Sequence, residues 1–358
     1  MSSTQKKMYY SPNMFQSYGE PEIRAVTEIL KATPEQQQQI IEKFERRVAE
    51  LFNAKYGVFV NSGSSANLIA CMCADFKSGD EVITPACTFP TTVSPIIFLG
   101  ATPIFCDIDA GRYVPSIQQV MEKVTPKTKA VLIPDLVGDK FDFIGLRKAL
   151  GEQYKHVILI EDACDTITTC DAEFATVSFY ASHVISAGGC GGMVFTNNYD
   201  DYQKLLKMRN DSLDFTAPYY CAEFGYKNSL RFEQFKECRM KNFEHYWKRL
   251  GNSTFYELPL NHEALWLSMA LICKSHRYEI VEQLEARGIQ TRLCMAGNIL
   301  RQPFYAKMFP NIDPATFINT EKVFAGGILI GLHQGLSSDD IDWICDQLED
   351  LAKKYENQ

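Results

Sequence analysis

The sequence predicts an α/β fold: a large domain on a mostly parallel, seven-stranded sheet between helices, and a smaller C-terminal α+β domain. Three observations predict it. From Tyr56 onward, short apolar β-type runs alternate with longer helical stretches, the pattern that packs helices on the faces of a parallel sheet. The runs are continuously apolar, as strands buried on both faces require. After residue 245 the alternation gives way to a shorter mixture of strands and helices. The expected division is a large domain over 15–245 and a small one over 246–358, and 358 residues suit two domains of ordinary size.

The elements follow in order. Residues 20–30 and 40–52 carry amphipathic helical spacing and are joined by the polar run 34–39. Strands are expected at YGVFV (56–60), EVITP (81–85), TPIFCDI (102–108), AVLIP (130–134), HVILIED (156–162), ATVSFY (175–180) and GMVFT (192–196). Helices are expected between them at 66–76, 89–99, 116–124 and 143–150. The tail reads as a strand over 264–272, a helix over 276–287, a strand over 326–332 and a helix over 338–354. Ser337, Ser338, Asp339 and Asp340 ahead of Ile341 form a helix-start signal.

Composition narrows the function. With 46% hydrophobic and 22% charged residues the chain is globular rather than disordered. Its formal net charge of -8 argues against a nucleic-acid partner. No run of eighteen apolar residues suggests a membrane span. Residues 1–7 are polar with no apolar stretch behind them, unlike a secretory signal. Twelve cysteines without such a signal read as free thiols in a reducing compartment, so a cytoplasmic location is expected. The one C-x-C pair, Cys71 and Cys73, sits in a helical stretch without a second pair, so no metal site is expected.

Four segments carry candidate chemistry. Asn61-Ser-Gly-Ser-Ser-Ala66 follows a strand and opens a helix. Small residues at a helix N-terminus offer free N–H groups and hydroxyls to an anion such as phosphate, and equally suit a tight turn with an N-cap. Glu161-Asp162-Ala-Cys-Asp165 ends an apolar run. A carboxylate at a strand's carboxyl end can meet a cationic ring nitrogen or a metal, or cap a solvated loop. His183 stands between a strand and the glycines at 188, 189, 191 and 192. A histidine there is either a general base or an ordinary hydrogen-bonded residue. Phe89 lies between a strand and a helix, where it stacks on a planar ligand or packs in the core.

In combination, NSGSSANLIA, GDEVITPACTFPTTVSPIIFLGATPIFCDID and IEDACD resemble the DegT/DnrJ/EryC1/StrS sugar aminotransferases over most of the chain. The resemblance implies a pyridoxal-phosphate-dependent transferase of fold type I. It implies that Gly63, Ser64 and Ser178 hold the cofactor phosphate, that Phe89 stacks on the pyridine ring and that Asp162 pairs with the ring nitrogen. It also implies a homodimer with the site at the subunit interface. The family's GYN motif reads Gly225-Tyr226-Lys227-Asn228, so Lys227 or Asn228 takes the place of an asparagine that reaches the partner subunit's phosphate.

Aminotransferases of this family place a cofactor-binding lysine five residues after the serine aligned with Ser178. Here that position is His183, and no lysine lies between Lys155 and Lys204. This substitution marks a subgroup that resembles the chain further. These are 3-dehydratases acting on nucleotide-linked 4-keto-6-deoxyhexoses, with pyridoxal or pyridoxamine phosphate bound noncovalently. Asp165 in EDACD, and the segment from Gly288 to Pro303 with Arg292, Asn298 and Arg301, match that subgroup. The resemblance implies His183 as base, Asp165 and Asn228 near the cofactor, and Arg292, Asn298 and Arg301 near the nucleotide-sugar substrate. It also implies glutamate as amino donor. An iron–sulfur version of the chemistry is not expected, because the cysteines are not clustered. An aminotransferase and a noncatalytic relative are the alternatives. Departures from the family are Cys190, where an acidic residue precedes the paired glycines, and a glycine loop one residue longer.

Overall fold

The computed structural model describes residues 6–12 and 17–356. Helices α1 (Glu20–Ile29) and α2 (Pro34–Leu51) lead into β1 (Tyr56–Val60). Then come α3 (Gly63–Cys73), β2 (Glu81–Pro85), α4 (Pro90–Phe98), β3 (Thr102–Cys106), α5 (Ile117–Met121) and β4 (Thr128–Pro134). They are followed by α6 (Phe143–Leu150), β5 (Ile158–Asp162), β6 (Phe174–Ser178) and β7 (Gly192–Thr196). Helices α7 (Tyr199–Asp211), α8 (Tyr219–Ser229) and α9 (Phe232–Leu250) lead to the tail. The tail holds β8 (Tyr256–Glu257), β9 (Met269–Cys273), α10 (Arg277–Ala286), β10 (Arg292–Leu293), α11 (Pro303–Met308), α12 (Ile318–Gly326), β11 (Gly327–Ile330) and α13 (Ser338–Tyr355).

The large sheet has the order β1-β7-β6-β5-β4-β2-β3. Neighbours from β6 to β3 are parallel, and β7 is antiparallel to both β6 and β1. Two antiparallel steps restore direction, so the carboxyl ends of β1, β2, β4, β5 and β6 share one edge with the start of β7. That edge is where open α/β sheets bind ligands. The strand interiors are buried almost throughout, which accounts for their unbroken apolar runs.

The polar run 34–39 is not a connection but the first turns of α2. Thr33 caps the helix: its hydroxyl accepts from Gln36 N at 3.4 Å while Gln36 Oε1 accepts from Thr33 N at 2.9 Å. Pro34 occupies the first turn, where its missing N–H costs nothing. Inside α2, Phe44 is fully buried, with its ring centroid 5.1 Å from that of Phe59 and 4.9 Å from that of Phe179. A Cβ on Gly225 of α8 would stand 2.5 Å from Phe44 Cζ. The glycine of the Gly225–Asn228 segment is therefore set by helix packing.

The second sheet, β10-β11-β9-β8, is antiparallel throughout. The apolar run 264–272 becomes a strand only at Met269. Its first part is a buried loop in which Trp266 stacks on Phe243 at 5.8 Å and Leu267 N donates to Val137 O at 2.8 Å. That contact ties the tail to the loop after β4. The N-terminal segment is tied to the tail as well: Met8 N donates to Gly288 O and Gln290 N to Met8 O, each at 2.8 Å. Among the described residues no helix is long and apolar enough to cross a membrane.

Candidate active site

The carboxyl edge of the large sheet opens into a cavity of about 470 Å³. Four of the strands that end there deliver a segment singled out by sequence: Gly63 and Ser64 after β1, Phe89 after β2, Asp162 and Asp165 at and after β5, Ser178 and His183 at and after β6. Seven residues expected at the site, all but Asn228, Arg292, Asn298 and Arg301, line this cavity together.

The floor is the N-terminus of α3. Ser62 caps it, accepting from Ser65 N at 3.0 Å. The amides of Gly63 and Ser64 lie in the first turn, where a helix supplies no acceptor of its own. Gly63 is pressed against the end of β6: a Cβ there would meet Ser178 Cβ at 2.7 Å and Cys164 Sγ at 2.8 Å. The first-turn amides with the positive end of the helix dipole, Ser64 and Ser178 thus line the same cavity.

Successive residues of β5 point to opposite faces. Glu161 turns away from the cavity, accepts from Asp171 N at 3.1 Å and lies 3.8 Å from Lys140 Nζ. Burial raises its carboxyl to about 7. Asp162 faces the cavity and is 4% exposed. Its Oδ2 accepts from Asn67 Nδ2 and from Thr92 Oγ1, both at 2.7 Å, and Oδ1 accepts from Cys164 N at 3.2 Å. Thr176 Oγ1 in turn donates to Asn67 Oδ1 at 2.6 Å. Donors on three elements fix this carboxylate in place, with no cationic side chain among them. That arrangement suits a cationic partner brought in by a ligand.

Asp165 accepts from Val137 N at 2.8 Å. Burial pushes its carboxyl up to about 7, so it is partly protonated at neutral pH. Phe89 is the residue just before α4, lines the cavity and is 45% exposed. An aromatic ring left bare beside a fixed carboxylate suits stacking on a planar heterocycle.

His183 is half-buried. Its Nδ1 lies 3.3 Å from Ser178 O. A carbonyl only accepts, so Nδ1 carries the proton and Nε2 is left as the basic atom. Burial lowers the imidazole to about 4, so the ring is neutral near pH 7. Among the described residues that line the cavity there is no lysine or arginine. Among the described residues no group of three or more His, Cys, Asp and Glu could hold a metal ion.

Residues 16–349 match the DegT/DnrJ/EryC1/StrS aminotransferase family. The chain belongs to this family. It is 29% identical to the lipopolysaccharide biosynthesis protein RfbH of Salmonella typhimurium, over 86% of this chain and 84% of that one. It is 26% identical to GDP-4-keto-6-deoxy-D-mannose 3-dehydratase of Escherichia coli O55:H7, over 92% and 96%. A crystal structure of GDP-4-keto-6-deoxymannose-3-dehydratase, in a histidine-to-asparagine variant with bound GDP-perosamine, is 25% identical. It superposes with a TM-score of 0.84 over 96% of this chain and all of that one. Another structure of that enzyme, with a trapped PLP-glutamate geminal diamine, gives 0.83 at 25% identity over 94% and 100%.

The DegT/DnrJ/EryC1/StrS cavity of this chain fits a phosphorylated pyridine: the glycine-sized cradle, the fixed carboxylate and the bare aromatic ring are all present. Four expected residues stand outside its lining. Asn228 is buried in α8, where Oδ1 accepts from Ser186 N at 3.0 Å and Nδ2 donates to Ser17 O at 2.6 Å. In its own chain it ties the loop after His183 to the N-terminal segment. Asn298 Nδ2 donates to Glu321 Oε1 at 2.6 Å, and Arg301 pairs with the other Glu321 oxygen at 2.7 Å. Both polar groups are committed to Glu321. Arg292 is exposed, with its guanidinium 5.7 Å from the centroid of the Tyr10 ring, which lines the cavity.

The sequence reading missed Asn67, Thr92, Tyr10, Leu267 and Met295. Asn67 and Thr92 lie inside segments already singled out, and a buried carboxylate's need for donors would have found them. Tyr10, Leu267 and Met295 are brought in by long-range packing, for which no local signal exists.

Proposed function

We propose that this chain is a pyridoxal/pyridoxamine phosphate-dependent 3-dehydratase of a nucleotide-linked 4-keto-6-deoxyhexose, with His183 as its base. The observation that carries the reading is a neutral His183 in a cavity lined by no lysine, at the position where the family's aminotransferases bind the cofactor covalently. Gly63, Ser64 and Ser178 hold the phosphate, Phe89 covers the ring, and Asp162 keeps the ring nitrogen protonated. Bound there in its amine form, the cofactor would supply an amino group for the C4 ketone and a ring that stores the electron pair freed by proton removal until the C3 hydroxyl leaves with it. Nε2 of His183 takes the proton removed in that step. Asp165, partly protonated, keeps a second full charge away from Asp162. Arg292 at the mouth meets the substrate diphosphate.

The same reading carries a homodimer, glutamate as amino donor and a cytoplasmic location; Asn228 reaches a shared site only if its bonds to Ser186 and Ser17 are exchanged. Asn298 and Arg301 reach substrate only if Glu321 is displaced. We also divide the chain into domains over 15–245 and 246–358, a boundary that falls within α9; residues 15, 16, 357 and 358 lie outside the described residues.

The test is product analysis. Protein, pyridoxamine phosphate, glutamate and a nucleotide-linked 4-keto-6-deoxyhexose are expected to give a 3-deoxy-4-keto sugar and ammonia. A 4-amino sugar instead would support an aminotransferase, as in the GDP-perosamine synthase of Escherichia coli O157:H7, 30% identical over 52% of this chain. No turnover and no bound cofactor would support a noncatalytic relative.

A further inference from the structure

The sulfurs of Cys190 and Cys221 lie 3.3 Å apart, although the two residues belong to different segments. Cys190 sits in the glycine-rich loop before β7 and lines the cavity; Cys221 lies in the first turn of α8. We propose that Cys190 and Cys221 form an oxidisable dithiol, a site of reversible disulfide formation by a peroxide at the wall of the cofactor cavity.

Four features support it. Disulfide sulfurs lie about 2.05 Å apart, so the pair must close by only about 1.3 Å. The loop has the backbone freedom for this: Gly188, Gly189 and Gly191 hold φ values of 76°, 100° and 109°, and nothing lies within 4 Å of a Cβ built on Gly189. Cys190 is half-buried rather than sealed in the core. Either sulfur can donate to the other, and the shared hydrogen bond lowers Cys190 to about 7 while it raises Cys221. Burial pushes the thiols of Cys106, Cys170, Cys273 and Cys345 up to about 12. Thiolate character therefore concentrates where the partner thiol is nearest.

The chemistry balances with hydrogen peroxide as oxidant. The Cys190 thiolate attacks one peroxide oxygen; an S–O bond forms, the O–O bond breaks, and the departing hydroxide leaves as water with the thiol's proton. Cys221 sulfur then attacks Cys190 sulfur; the S–S bond forms, the S–O bond breaks, and hydroxide leaves as a second water with the Cys221 proton. Each sulfur gives up one electron, and the peroxide takes up two. The bond ties the glycine-rich loop to α8. Gly191, next in the chain, donates to Asn61 O at 3.0 Å beside the phosphate cradle.

The test uses the full folded chain under limiting hydrogen peroxide, with free thiols counted before and after and linked peptides mapped by mass spectrometry. The expected result is loss of two thiols, a Cys190–Cys221 peptide pair, and recovery of both thiols with dithiothreitol. Cys221→Ser is expected to stop at a sulfenic acid that dimedone captures on Cys190. Retention of all thiols, a linkage elsewhere, or the same two-thiol loss in Cys190→Ser would overturn the proposal. None of these readouts needs cofactor or substrate, so the result stands apart from the dehydratase reading.

Discussion

Gly63 and Ser178 touch so closely that a methyl group on residue 63 would stand 2.7 Å from the serine Cβ. The contact presses the start of α3 against the end of β6 and forms the cradle that the phosphate reading needs. Gly63→Ala is expected to force the two apart, costing about 1–3 kcal/mol in folding stability. Pyridoxal phosphate affinity should fall at least tenfold. Fluorescence titration and thermal unfolding check both; unchanged affinity would place the phosphate elsewhere.

Asp162 Oδ2 takes two neutral donors, Asn67 and Thr92, so its charge has no partner within that set. Asp162→Asn keeps the shape and removes the charge. We expect a fall in turnover of roughly 10²–10⁴-fold with the phosphate still bound. A variant of full activity would remove Asp162 from the ring-nitrogen role.

Phe89 separates binding from folding. Its ring is 45% exposed, so Phe89→Ala is expected to leave the melting temperature nearly unchanged. The lost stacking, about 0.5–1.5 kcal/mol, should weaken cofactor affinity by roughly two- to tenfold. A large drop in melting temperature would mean that the ring serves the core.

His183 and His333 make stability depend on pH. Burial lowers both to about 4, below the ordinary histidine value near 6.5. Between these values the unfolded imidazoles bind more protons than the folded ones, so the histidine contribution to stability rises as pH climbs from 4 to 6.5, against the opposite contribution of the raised Glu161 and Asp165 carboxyls. Each histidine contributes up to about 3 kcal/mol across that window. His183→Asn should remove roughly half of the histidine-dependent rise, as read by urea unfolding at several pH values. A slope identical to that of the unaltered chain would show that His183 is not buried as described.

Much of the site was legible because the sheet edge gathers what lies just after each strand. Asp162, Ser178 and Phe89 needed only strand positions to be placed together. The run 34–39 was misread because polar composition hid a capping box, Thr33 with Gln36, that makes it helical. Asn298 and Arg301 resemble substrate contacts, yet Glu321, twenty residues on from Arg301, engages both. The Cys190–Cys221 contact spans a loop and a helix, and no spacing rule announces it.

The central claim is that His183 stands where the family's aminotransferases hold the cofactor through lysine. The most direct test is the absorbance spectrum of the protein with pyridoxal phosphate, before and after glutamate, with borohydride added to parallel samples and peptides mapped. A bound aldehyde-form band is expected to move to the shorter-wavelength amine form with glutamate, with no lysine peptide carrying reduced cofactor. A borohydride-fixed cofactor on a single lysine would contradict it and return the chain to the ordinary aminotransferases.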